Sequence, residues 1–431
     1  MYKLLLLIGF LIFTGCAQKT SMLEEKTLKE TKHNNKKMFN EEDSLIMFAL
    51  RSEQVKDFSS AAQIFETLYV KSLRKEYMHR SLQNRLFLKQ NQLVIDRVDA
   101  ITNKHLDDFI LVRLKIVGLI QMNRFQEAQD LAIALVEVSE DEADYILLSD
   151  IYIGQEKFDE AVKYLESGYS KKYSEKILDR MAILLYVNLD RKKDAIAYLE
   201  THTMLHACSV VICKRLISFY SNENNVEGLL SAYLRYYKVD AKPEVAEQIV
   251  QLYGYKKDYP QLILFLQESQ SDDVTLLQLY TSSKNYTKAF PLAKNIYDET
   301  GEIKYLGESV IYEYEAQKDK NDKAFLSSIS KKFEEVLKQD SSSLYLNYFG
   351  YVLIDHDIDV SKGIEYIKKA LVMEPDSAYY LDSLAWGHYK LRQCSDALRI
   401  IKKVRKLDGG DDAEVVRHHE LIKKCKGKNK Q

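Results

Sequence analysis

A chain of 431 residues, 46% of them hydrophobic and 11% aromatic, has ample material for a buried core, which excludes a disordered protein. Only 4 Pro and 15 Gly are present, a composition that suits long helices better than phosphate-cradling loops or turn-dense sandwiches. The 62 basic and 64 acidic residues leave a net charge of −2, so there is no global basic field to condense on nucleic acid, and that partner class is set aside.

Lys3 supplies a short positive n-region, and Leu4 to Phe13 is an almost unbroken apolar run. A bilayer-spanning helix needs about 20 apolar residues. The run is shorter and has the length of a secretory h-region. It ends in Phe13-Thr14-Gly15-Cys16. This segment resembles the bacterial lipobox, in which small residues precede a Cys that is lipidated and becomes the mature N-terminus. Phe13 departs from the usual Leu. An ordinary signal or a buried core helix is the alternative, although the polar stretch after Cys16 does not continue a membrane helix. The resemblance implies a signal peptide over 1–15 and a lipid on Cys16, with each buried methylene adding about 0.8 kcal/mol of membrane affinity. Ala17 stands where inner-membrane lipoproteins usually carry Asp. In a two-membrane bacterium this implies the outer membrane, facing the periplasm. Residues 16–40 are polar and lack apolar periodicity, and a flexible tether of that length reaches roughly 25–30 Å as a random coil.

From Glu41 onward the chain reads as amphipathic helices of 10–15 residues broken by short polar loops, with no sustained strand alternation. An aromatic-x-x-small pattern recurs where second helices begin: Phe58-x-x-Ala61, Phe125-x-x-Ala128, Phe158-x-x-Ala161 and Tyr286-x-x-Ala289. Looser versions place Ala195, Gly228 and Leu262 in the small position. From Ala128 to Leu262 the small positions step by 33, 34, 33 and 34 residues, and the step from Leu262 to Ala289 is 27. A period near 34 made of helix pairs resembles the tetratricopeptide repeat. Residues 341–409 resemble two consecutive repeats of that family most clearly, with Gly350, Gly363, Ala370, Pro375, Ala385 and Ala397 at its small and turn positions. The resemblance implies an all-α, right-handed superhelical solenoid of about eleven helix pairs over 41–425. Segments 76–104 and 302–340 are the least regular. A polar capping helix comes next over 411–425, opened by Asp411-Asp412. A basic tail, 426–431, ends the chain.

Few residues invite chemistry. Asp355-His356-Asp357-Ile358-Asp359 opens like a calcium loop, but Val360 and Tyr366 occupy the positions that need Gly and Glu. Asp359 reads better as the cap of a helix beginning near Val360. His418-His419-Glu420 cannot converge on one ion from adjacent helical positions, and reads as exposed side chains of the capping helix. No catalytic motif, metal site or cofactor loop is expected. An exported chain forms disulfides. With Cys16 assigned to lipid, four cysteines remain. In a solenoid Cys394 lies at the turn of the last repeat and Cys425 ends the capping helix on the same side, so a Cys394–Cys425 staple is geometrically sensible. Cys208 and Cys213 diverge on one helix and pair only across a bend near Ser209.

In the tetratricopeptide family the first helices of successive repeats line a groove. The resemblance puts Asn347 and Tyr351 on it from one helix, and Tyr379, Asp382, Trp386 and Tyr389 from the next. Trp386 is the only Trp. Such aromatics suit an interaction hot spot. The alternative is that they pack against neighbouring repeats. On the groove reading Trp386→Ala weakens partner capture and leaves helicity intact, whereas on the packing reading it costs folding. Tyr351 and Trp386 stand where chaperone-binding members carry Asn, so carboxylate recognition is not expected. The expected function is a membrane-anchored scaffold that docks other envelope proteins or peptides. The alternative is a glycan- or peptidoglycan-active, or polymer-binding, envelope lipoprotein.

Overall fold

The computed structural model describes residues 38–102 and 108–425. The signal segment, Cys16, most of the expected tether and the basic tail lie outside the described residues. The tether stops short of residue 40. The Met38 backbone N–H donates to Glu42 at 2.7 Å, and Phe39 packs on the first core cluster. Among the described residues every regular element is helical, and no helix is long and apolar enough to cross a membrane.

Two compact units divide the chain, Met1–Leu184 and Leu185–Gln431. The first carries α1 Glu42–Gln54, α2 Phe58–Ser72, α3 Lys75–Phe87, α4 Asn91–Thr102, α5 Phe109–Gln121, α6 Phe125–Ser139, α7 Glu142–Gly154, α8 Phe158–Lys172 and α9 Glu175–Ile183. A π-helical turn, Leu184–Asn188, comes after α9. The second unit carries α10 Lys192–His206, α11 Val210–Asn222, α12 Val226–Val239, α13 Pro243–Lys256, α14 Tyr259–Ser269, α15 Asp273–Ser282 and α16 Tyr286–Thr300. It continues with α17 Ile303–Ala316, α18 Lys323–Gln339, α19 Ser343–Asp355, α20 Val360–Met373, α21 Ala378–Lys390, α22 Cys394–Val404 and α23 Ala413–Lys423. Twenty-two helices and then α23 match the expected eleven pairs and a cap.

The turns inside the pairs share one device. Lys56, Lys89, Asn123, Glu156, Asp190, Asn224, Lys257, Lys284, Asp357 and Arg392 each hold a left-handed backbone, with φ between 52° and 62°. One such residue stands in every turn from a first helix to a second except 317–322. Segment 76–104 therefore uses the ordinary turn at Lys89 and is more regular than its sequence suggests, while 302–340 is irregular as expected. A non-glycine residue in this region carries strain of about 1 kcal/mol or more. Lys56→Gly combined with Lys89→Gly is expected to raise stability by roughly 1 kcal/mol, because glycine relieves the strain and only partly offsets it through unfolded-state entropy. A thermal melt that moved down would refute this.

The 27-residue step has a simple cause. Helix α14 has 11 residues and α15 has 10, against 15 in α8 and 13 in α7. The helices lost length and the turns did not.

Each helix buries a stripe of small and large apolar residues. At the tightest crossing, α19 meets α20 backbone to backbone. A Cβ on Gly350 would lie 2.8 Å from the Gly363 carbonyl oxygen, and one on Gly363 would lie 2.6 Å from the Gly350 carbonyl oxygen. Neither position has room for a side chain. Around the crossing, Phe333 and Phe349 stack at 5.3 Å and are fully buried. Burying a large apolar side chain contributes about 1.5–3 kcal/mol.

One buried charge organises the first unit. Asp144 on α7 is 1% exposed. Arg113 on α5 grips it with Nε to Oδ1 at 2.5 Å and Nη2 to Oδ2 at 2.8 Å. The same guanidinium reaches Asp141 at 2.9 Å, and Ser139 Oγ donates to Asp144 at 2.5 Å.

Candidate functional site

The residues expected on the groove come from α19 and α21, which touch each other directly. Ser377 precedes α21, and Asp359 caps α20 by accepting from the Lys362 backbone N–H at 2.9 Å. The other two carboxylates of that acidic loop face α21. Asp355 accepts from Trp386 Nε1 at 2.9 Å, and Asp357 pairs with Lys390 at 2.8 Å. Among the described residues no group of three His, Cys, Asp or Glu side chains is placed to hold a metal ion.

The structure corrects two expectations here. Asp382 and Trp386 do not line an open groove; they are 5% and 7% exposed. His418 is not an exposed side chain of the cap; it is fully buried. The reason is common to both. Helix α23 touches α21 and α22 as α21 touches α19 and α20, so it takes the place of the first helix of a further pair. The His418 ring lies flat on Trp386, with centroids 4.2 Å apart and planes 13° from parallel. Its Nδ1 is 2.8 Å from Asp382 Oδ2. Tyr389 stacks on the same indole at 4.9 Å, and the Lys390 ammonium lies over it at 5.6 Å. From α19, the Tyr351 hydroxyl donates to Glu414 Oε1 at 2.6 Å.

The remaining groove candidates are placed differently. Asn347 is half-buried, and its Oδ1 is buried without a hydrogen-bond partner. Tyr379 is 57% exposed and lies against Gly409. Cys394 and Cys425 are bonded, with Cα atoms 5.6 Å apart, and Cys208 is bonded to Cys213 at the same Cα separation. The break required for the second bond is present: α10 ends at His206, Ala207 has a φ of 63°, and Ser209 caps α11.

Sequence reasoning missed Glu414 and His418. They stand four apart, on one face of a helix. It also missed the aromatic cluster beside them. The Tyr314 hydroxyl is 2.8 Å from His356 Nε2, Tyr348 donates to Glu315, and the Lys320 ammonium sits 4.4 Å from the Tyr314 ring centroid. Burial sets the protonation of these groups. It pushes the Asp382 carboxyl above the usual carboxylate range, with the His418 hydrogen bond opposing. It pushes the Tyr351 hydroxyl up, helped by the hydrogen bond to Glu414, and lowers the His356 imidazole. With α23 seated, the fully buried His418 has no access to a substrate. The arrangement holds helices together.

No protein-family model matches the chain, and no curated protein matches it. Solved structures do. The APC/C hetero-tetramer Cut9–Hcn1 aligns at 9% identity over 89% of this chain and 96% of that one, with a TM-score of 0.40. A tetratricopeptide repeat protein from Parabacteroides merdae aligns at 12% identity over 57% of this chain and 98% of that one, with a TM-score of 0.25. The TPR domain of P58(IPK) aligns at 11% identity over 89% of this chain and 98% of that one, with a TM-score of 0.26. By its own helices and their pairing, the chain is an all-α helical-repeat protein.

Proposed function

We propose that this chain is a membrane-anchored scaffold of a bacterial envelope, docking other envelope proteins or peptides and carrying no catalytic centre, cofactor or nucleic acid. The observation that supports it best is the row of first helices. Helix α3 touches α5, α7 touches α9, and α19 touches α21, so successive pairs add side chains to a shared face. Stacked pairs of this kind bury one continuous core and leave an extended surface for partners. The lipobox at Phe13–Cys16 supplies the anchor, and Ala17 directs it to the outer membrane, facing the periplasm. Function on such folds resides in the docking surface and not in the fold itself.

Crosslinking in intact cells, followed by mass spectrometry, tests this reading. Defined envelope proteins are expected among the products, and Cys16→Ser is expected to release the chain from the membrane fraction. Recovery of bound glycan with no protein partner, or hydrolysis of purified peptidoglycan, would overturn the scaffold in favour of a polymer-binding or glycan-active lipoprotein.

A further inference from the structure

The face formed by α19 and α21 is filled by the chain's own last helix, and that helix is held differently from the others. Interior α21 is packed by α19, α20, α22 and α23, whereas α23 rests on α21 and α22. It buries only Val415, His418 and Ile422. Its seating is imperfect. His418 Nε2, Asp382 Oδ1 and Asn347 Oδ1 are buried without hydrogen-bond partners, and Nε2 is 3.9 Å from the Glu414 carboxylate, beyond hydrogen-bond reach. Buried polar groups in a settled core are normally satisfied. The chain enters α23 through Gly409, whose φ is 82°, followed by Gly410, so a glycine pair stands at one end of the helix. Cys425, just beyond the other end, is bonded to Cys394 at the start of α22. Both of these cysteines are half-buried, while Cys208 and Cys213 are 6% and 0% exposed. A soluble reductant therefore reaches the Cys394–Cys425 bond first.

We propose that α23 is a displaceable strap. It occupies in cis a site on α19 and α21 that accepts an amphipathic helix of a protein partner, and the Cys394–Cys425 bond keeps the strap shut. The partner helix carries a carboxylate one turn before an imidazole or aromatic ring, the chemistry that Glu414 and His418 offer to Tyr351, Trp386 and Asp382. This deepens the scaffold reading, on which it rests, by naming one docking site and what opens it. Opening uses a dithiol reductant. Its two thiols give up two electrons and two protons and become a disulfide. The Cys394–Cys425 bond breaks and receives them as two thiols.

The test uses the whole chain with a fluorescein-labelled peptide of residues 411–424 as probe. In the Cys425→Ser protein, hydrogen exchange over α23 is expected to quicken at least tenfold while α19 and α21 stay protected. Emission of the single Trp386 is expected to shift to the red as His418 leaves its face. The peptide is expected to bind at least tenfold more tightly to this protein, and to the mildly reduced parent, than to the oxidised parent. A peptide with Ala in place of His418 is expected to lose that binding. Cys394→Ser and mild reduction of the parent serve as independent openings should Cys425→Ser fold poorly. Unchanged α23 exchange after bond loss would overturn the strap. Released α23 without peptide capture would overturn the site. Equal capture by oxidised and reduced chains would overturn the redox hold. Each of these failures leaves the crosslinking result standing, so the strap and the scaffold fail separately.

Discussion

Replacing Arg113 by alanine is expected to destabilise the first unit by about 3–5 kcal/mol, the cost of leaving a buried charge without its partner. The carboxylate left behind belongs to Asp144, which is 1% exposed and would keep only the Ser139 hydroxyl. Arg113→Lys is expected to recover part of the loss. A single ammonium replaces the charge but cannot grip Asp144 through Nε and Nη2 together while reaching Asp141. Pairing Arg113→Met with Asp144→Leu is expected to restore most of the stability, because two apolar side chains of similar volume remove the desolvation penalty along with the ion pair. Urea titration followed by circular dichroism reads all three variants. A single alanine variant that unfolds at the parent's midpoint would refute the buried-pair account.

Trp386→Ala is the second large effect, at about 3–5 kcal/mol for truncating a buried aromatic. The indole supports more than its own volume. It carries the His418 ring on one contact and the Tyr389 ring on another, and its Nε1 is the donor to Asp355. Removing it deprives α23 of its main platform. A lowered thermal midpoint and loss of protection over α21 to α23 are expected. Weakened partner capture with the melting curve unchanged would revive the open-groove reading of this residue.

Much of the architecture was legible because helix pairs write themselves as spacing. The small residues at 128, 161, 195 and 228 lie on second helices, α6, α8, α10 and α12, as their period implies. Asp359 and Asp412 were legible as caps, since a carboxylate ahead of an amphipathic run has a local hydrogen bond to make. The turn at Lys89 was not, because a left-handed Lys looks like any surface Lys, and segment 76–104 looked irregular for that reason. The groove was read half correctly. Its residues do share α19 and α21, but the family pattern describes the middle of an array. At the last pair the exposed side of that pattern meets the cap. The fate of Asp382 and Trp386 was therefore set by the Glu414-x-x-x-His418 face 28 or more residues downstream, a long-range pairing that local periodicity does not carry.

The shortened unit has a consequence for how such an array can change length. A helix turns by about 100° per residue, so removing four residues from α14 rotates the downstream chain by about 40° in one sense, and removing three from α15 returns it by about 60° in the other. The two losses nearly cancel, and α16 resumes with its apolar stripe about 20° from where it would have stood. A single-residue deletion would have swung that stripe a quarter-turn or more. Length in this protein is thus adjustable in steps of about two helical turns per pair, with the angular phase of every later helix preserved.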